Sequence, residues 1–416
     1  MRRPRGRPTA LLLAACACGL TLAFLSGALD PLVARFRAAG QGAGVTDPSD
    51  GGSRGPDPRV AAATDDRPAW MDGSPTATIE APNPNDQNDR AVAALESGDL
   101  DGAIALLEEA VTARPDDVTF AANLGEAYLR RARQASTDDP AAALEDFDRA
   151  LEWTRDGDRR SRIAALRDRA KVIAETEAEF VVRSTPHFTF KFDSSRAEVL
   201  EGIEDLKVLL EDTYQEYGDL FQRRPVEAGE KKIEVVLYRA EGFDAVTGLG
   251  DWAGGVFDGT IRVPVADLRD KRRVARVRSV LRHETAHAFT HSIGGARVPA
   301  WLNEGVAQRL EDPANTPERV RFARARLAAG GDDLIPLADL TGSLIGWKER
   351  SKITRAYDQA LAFTDYLVEQ YGVDLVFEMV AACAADGAKG AAEHFRARIL
   401  VDIDVVLNDF AAGLDD

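Results

Sequence analysis

Cysteine is nearly absent from this chain of 416 residues, and positive charge is in short supply. Only Cys16, Cys18 and Cys383 occur, and the first two fall inside an apolar N-terminal run. A body whose one certain cysteine is Cys383 has no internal disulfide. Cys383 lies in Val380-Ala381-Ala382-Cys383-Ala384, far in sequence from most of the five histidines, and reads as a small core residue rather than a nucleophile. Lys and Arg number 52 against 69 Asp and Glu, a net charge of −17, which argues against nucleic acid as a partner. Arg2, Arg3, Arg5 and Arg7 are the only charges before Asp30, so setting those four positive charges aside leaves −21 on the rest. That surface favours solubility and repels anionic lipid headgroups. The 45% hydrophobic content is ordinary for soluble globular protein, and the length suits about two or three domains.

Long apolar runs are equally scarce. The one near the N-terminus, residues 9–29, follows the basic head, and together residues 1–30 read as an export signal. The run is long enough to span a bilayer. The reading adopted is a retained anchor, with the bulk of the protein outside the cytoplasm and tethered to the cell membrane. Leu13-Ala14-Ala15-Cys16 resembles a lipobox, which makes a lipidated Cys16 the second reading and a cleaved signal the third. Residues 31–85 are rich in Gly, Pro, Asp, Ser and Ala without an apolar period. Such a segment cannot bury enough surface to offset its ordering and is expected to be a disordered tether.

Residues 86–180 carry a helical repeat. Ala91, Gly98, Ala103, Leu107, Ala110 and Pro115 fall at the spacing of a tetratricopeptide unit, and Leu124, Gly125 and Tyr128 open a second one. Six extra residues within 132–139 are needed to bring Ala143, Phe147 and Ala150 into register. Small residues at these points let paired helices approach closely. A helix near 159–180 would cap the pair. Such a unit either binds a partner protein in its groove or acts as a packing spacer.

From 181 to 416 the period changes. Phe188, Phe190 and Phe192 share one face of a strand, Val199, Ile203, Leu206, Leu210 and Tyr214 carry helical spacing, and residues 233–238 form a second, mostly apolar strand. Residues 256–263, broken by Asp258-Gly259, read as a hairpin or edge strand. Beyond residue 304 the pattern is almost all helical, over 316–329, 353–371, 375–385 and 391–407.

The chemistry lies between these halves, in His283-Glu284-Thr285-Ala286-His287. Val274, Val277 and Leu281 upstream place this H-E-x-x-H in a helix, and Gly294-Gly295 stops that helix. At i and i+4 the two imidazoles share a face and can reach one zinc ion. Glu284 projects towards the open side, where a carboxylate can take a proton from water. Glu304, in Trp301-Leu302-Asn303-Glu304-Gly305, is placed as third ligand from the next helix. Three protein ligands leave the open position of a catalytic rather than a structural zinc. The longer H-E-x-x-H-x-x-G-x-x-H pattern is excluded, because Thr290 and Ile293 stand where Gly and His are required. His291 lies two turns from His283 and reads as a polar residue near a helix end. His187 and His394 are expected to be structural or exposed.

H-E-x-x-H followed by W-L-N-E-G resembles the gluzincins, the thermolysin-like and alanyl-aminopeptidase-like zinc peptidases, and most nearly the peptidase MA-like group of bacterial envelope proteins. The resemblance runs from about Phe180 to the C-terminus, with Pro186–Phe190, Trp252-Ala253-Gly254-Gly255 and Tyr357 also in matching places. It implies an α+β protein in which tetratricopeptide-like helical hairpins precede a two-lobed thermolysin-like domain. It further implies a Zn2+ cofactor on His283, His287 and Glu304, Glu284 as general base, Tyr357 as an oxyanion donor, and a peptide or protein substrate. Two departures stand out. The aminopeptidases' G-A-M-E-N signature is missing, which points to an endopeptidase rather than an exopeptidase. Gln308 occupies the place where thermolysin-like enzymes carry an Asp that supports a zinc ligand. An inactive peptidase fold serving as an envelope scaffold is the alternative class.

Overall fold

The computed structural model describes residues 83–226, 231–249, 253–330, 334–344 and 347–414. The segments expected over residues 1–82, and Trp252, lie outside them. Among the described residues the chain is α+β, with helices predominating over one small sheet of mixed pairing. None of these helices is long and apolar enough to cross a membrane.

Two compact units divide the chain. The first runs to Gln134 and again over Ala142–Leu166, and the second takes Ala135–Ala141 and Arg167–Asp416. In the first, α1 (Pro84–Ser97) starts where Asn83 accepts from Asn85 N and ends at Gly98, whose φ of 84° suits a residue without a Cβ. Asp99 caps α2 (Leu100–Ala113) in the same way. Then follow α3 (Val118–Asp138), α4 (Pro140–Trp153) and the start of α5 (Gly157–Glu177). The repeat positions Ala91, Ala103, Leu107, Ala110, Leu124, Tyr128, Ala143, Phe147 and Ala150 are all buried. Gly125 permits a close approach, since a Cβ there would lie 3.2 Å from Thr154 Oγ1 and 3.3 Å from Trp153 Cβ. The six additional residues do not form a loop. They lengthen α3 to 21 residues, against 14 in α1.

The second unit opens with the last turns of α5, upstream of Phe180. The sheet has strand order β1-β2-β3-β5-β4, built from β1 (Val181–Ser184), β2 (Phe188–Phe192), β3 (Ile233–Tyr238), β4 (Val256–Phe257) and β5 (Ile261–Pro264). The helix α6 (Ala197–Phe221) crosses between β2 and β3, which pair in parallel, as do β3 and β5. The two outer strands pair antiparallel to their neighbours. Neither β1 nor the short α7 (Ala240–Thr247) has a clear signal in the sequence.

Both faces of the sheet are covered, which is why β3 is apolar at nearly every position. Val235 and Leu237 join the main core with Phe188, Phe190, Phe192, Ile261 and Val263, while Val236 and Tyr238 face Ile173 of α5 and Phe243 of α7. The second face also holds a buried ionic network. Lys191 Nζ lies 2.8 Å from Glu234 Oε2, Arg262 Nη1 lies 3.1 Å from Glu177 Oε1, and Asp258 pairs with both Arg262 and Arg169. The Glu177–Arg262 and Arg169–Asp258 pairs bind α5 to the β4–β5 hairpin, and Lys191–Glu234 joins β2 to β3.

The remaining helices are α8 (Lys271–Gly294), α9 (Ala300–Glu311), α10 (Thr316–Ala329), α11 (Arg350–Tyr371), α12 (Val373–Ile399) and α13 (Ile403–Ala412). α12 is broken at Asp386 and Gly387, the latter with φ 58° and ψ −135°, a conformation open only to glycine. The helical spacing read over residues 391–407 is interrupted as well: Leu400 turns left-handed at φ 64° and Asp402 opens α13.

Candidate metal centre

Two helices and the bonds that lock them together build the site. α8 packs through Phe289 into Tyr214, Tyr217 and Phe221 of α6, with ring centroids 5.2, 5.7 and 5.7 Å away. Tyr217 donates its hydroxyl to Leu310 O at 2.9 Å, at the end of α9. Arg282, the residue before the first histidine, also donates to Leu310 O and forks onto Glu216 at 2.8 Å through each terminal nitrogen. α9 is fixed from its other side by Gly305, where any Cβ would run into Ala360 O and Thr364 of α11. The ligand-bearing faces of α8 and α9 are therefore held at a set separation.

That separation brings His283, His287 and Glu304 together. Their ligand atoms all lie within 4.8 Å of one another. His283 Nε2 is 3.5 Å from Glu304 Oε2, and His287 Nε2 is 3.7 Å from Glu304 Oε1. Both distances exceed a good hydrogen bond. They are close to the roughly 3.3–3.4 Å expected between two ligand atoms about 2.0–2.1 Å from a tetrahedral ion. Both Nε2 atoms are buried without a hydrogen-bond partner, a costly arrangement unless something else satisfies them.

The opposite ring nitrogens are anchored. His283 Nδ1 lies 2.6 Å from Glu311 Oε2, and Glu311 Oε1 lies 2.7 Å from Arg319 Nη1. His287 Nδ1 lies 3.0 Å from Asn303 Oδ1, which also accepts from Thr290 Oγ1 at 2.6 Å. With acceptors on both Nδ1 atoms, the proton of each neutral ring sits there and the Nε2 lone pair points at the centre of the group. Burial opposes a charge on His283, yet the Glu304 and Glu311 carboxylates outweigh it and push its pKa up to about 10. Burial and the neighbouring His283 hold His287 well below the ordinary histidine value, and burial raises Glu304. Buried carboxylates around two imidazoles thus call for positive charge, and this donor set fits a divalent ion that accepts nitrogen and oxygen ligands.

Glu284 is fully buried on the same helix. A Cβ built on Gly255, the residue before β4, would fall 3.1 Å from Glu284 Oε1 and 2.6 Å from Val280 Cγ1. The backbone leading into the sheet's edge strand therefore lies directly against the carboxylate.

The other residues singled out in the sequence fall elsewhere. Gln308 does not support a histidine: its Nε2 donates to Tyr357 O at 3.0 Å. Glu311, which the sequence reading passed over, supplies the carboxylate instead. The signal was present, because Glu304, Gln308 and Glu311 share one helical face at i, i+4 and i+7. Tyr357 comes to α9 through its carbonyl. His187 is half-buried, stacked on Tyr214 at 4.0 Å and held by Glu211 at 2.6 Å, and His394 pairs with Glu378 at 2.9 Å. Cys383 is fully buried, and desolvation pushes its thiol up to about 11, which suits a core residue.

Comparison with protein-family models and with curated proteins yields no match for this chain.

Proposed function

We propose that this chain is a zinc-dependent endopeptidase, with His283, His287 and Glu304 as metal ligands and Glu284 as general base. One observation carries the reading: two partnerless Nε2 atoms and a buried carboxylate converge within 4.8 Å, while Glu311 and Asn303 hold the far sides of both rings. Two imidazoles and one carboxylate make the three-ligand set of an open, catalytic zinc. When bound, the ion supplies Lewis acidity, drawing charge from a substrate carbonyl and easing the deprotonation of water.

The chain's own groups do the rest. Glu284 takes the proton of the attacking water and hands it to the leaving amine. β4 is an outer strand of the sheet, and Gly255 places its start against Glu284. An extended peptide added along that edge would run past the base, its backbone held by strand pairing. Tyr357, by the gluzincin resemblance, is the candidate donor to the oxyanion. The same resemblance gives the thermolysin-like architecture of the second unit, and the repeat spacing gives the tetratricopeptide-like character of the first, which would take a protein partner. The basic head and apolar run at the N-terminus would tether the enzyme outside the cytoplasm.

The test is Glu284→Gln in the full chain. It is expected to keep its zinc and lose turnover of a blocked internal peptide, and full activity in that variant would overturn the mechanism.

A further inference from the structure

A cavity of about 530 Å³ opens beside the metal group, with Glu304 and Asn303 in its wall. The proposed chemistry uses neither its volume nor its other residues. His291 lines it, with Nδ1 buried and without a hydrogen-bond partner, and its ring lies 5.8 Å from Phe257 of β4. The side chain therefore stands where the edge strand meets the cavity, with a polar nitrogen unused. The break in α12 brings Gly387, Ala388 and Lys389 into the wall as well. Arg297 is held at the same mouth by Ala384 O and Ala385 O, at 3.1 and 3.0 Å.

The charges here run against the rest of the molecule. The wall sets Arg297 and Lys389 against Asp386 and the ligand Glu304, so its basic groups match its acids in a chain of net −17. With Glu304 given to the metal, the two cations outnumber Asp386. Asp386 is already paired with Lys389 at 3.0 Å, and the amides that open the second segment of α12 add partial positive charge. A carboxylate entering between Arg297 and Lys389 gains charge-assisted hydrogen bonds, and His291 offers a further polar contact at the inner end. A lysine would meet Arg297 and Lys389 as like charges, with Asp386 already paired to Lys389.

From this arrangement we infer that the cavity is a specificity subsite for an acidic residue next to the scissile bond. The inference rests on the peptidase reading and names its substrate class as acidic peptides. His291, Arg297 and Lys389 are then specificity-determining residues, with no part in the bond cleavage itself.

The experiment uses zinc-loaded full-length protein and a library of N-acetylated, C-amidated decapeptides randomised at every position, with the cut sites sequenced. Acidic residues are expected to be enriched at one position flanking the cut, about five-fold over lysine. Lys389→Glu and Arg297→Gln, made separately, should each reduce that enrichment at unchanged zinc content. Lys389 is 69% exposed, so its variant tests the idea even if the Arg297 variant fails to fold. Cutting without acidic enrichment, or enrichment untouched in a folded Lys389→Glu protein, overturns the subsite and leaves the peptidase standing. A zinc-loaded protein that cuts nothing overturns both.

Discussion

Removing the Glu311 carboxylate should weaken metal binding without touching a metal ligand. Glu311 is 3% exposed, its Oε2 sits 2.6 Å from Nδ1 of the fully buried His283, and Arg319 holds its other oxygen at 2.7 Å. In this position it fixes the His283 tautomer and makes the ring a stronger donor. Losing such a partner typically costs about 10–100-fold in metal affinity. Glu311→Gln keeps an acceptor of the same shape and should fall near the lower end, about ten-fold. Glu311→Ala leaves Nδ1 without an acceptor and Arg319 with the Gln308 carbonyl but without the Glu311 carboxylate, and should approach about a hundred-fold. A competition titration of zinc against a chromophoric chelator reads these shifts directly, with circular dichroism confirming that each variant is folded. Gln308→Ala in the same titration serves as the control, because Gln308 bonds to Tyr357 O rather than to a ligand. Equal zinc affinity for the parent and a folded Glu311→Ala protein would refute the reasoning.

Further outcomes follow from the same geometry. Gly255→Ala should push Glu284 aside and lower turnover about a hundred-fold at unchanged zinc content, as measured by steady-state kinetics and elemental analysis. Tyr357→Phe should lower kcat about 10²–10³-fold with little change in KM if its hydroxyl meets the oxyanion, and an unchanged kcat would make it a packing residue. Glu177→Ala leaves Arg262, itself 4% exposed in its side chain, with Asp258 as its remaining carboxylate ion-pair partner within 4 Å, and should cost about 3 kcal/mol in denaturant unfolding.

Much of the second unit could be read from residue spacing. The alternating phenylalanines of β2 and the apolar run of β3 stand where the pattern put them, because a strand covered on both faces leaves little freedom in side-chain choice. The H-E-x-x-H spacing likewise fixed which rings share a face of α8, and the pairing with Glu304 needed only the two-helix turn at Gly295. What stayed hidden depends on tertiary neighbours. β1 shows burial on one face at most, and α7 is eight residues long, so neither produces a periodic signal. Arg262 and Lys191 look like solvent-facing residues until Glu177 and Glu234 are seen to cover them. The break at Asp386-Gly387 falls in the gap left between the helical spacings of 375–385 and 391–407. Glu311 looks like an ordinary helix-end acid until the packing of α9 on α8 sets it against His283 Nδ1.

The account depends above all on a metal ion held by His283, His287 and Glu304. Elemental analysis of the purified chain, beside His283→Ala and Glu304→Ala variants, tests this most directly. About one zinc per chain in the parent, lost in both variants, is the predicted result. A parent that folds fully yet takes up no metal at any zinc concentration would contradict the account, and would move the chain to the class of non-enzymatic scaffolds.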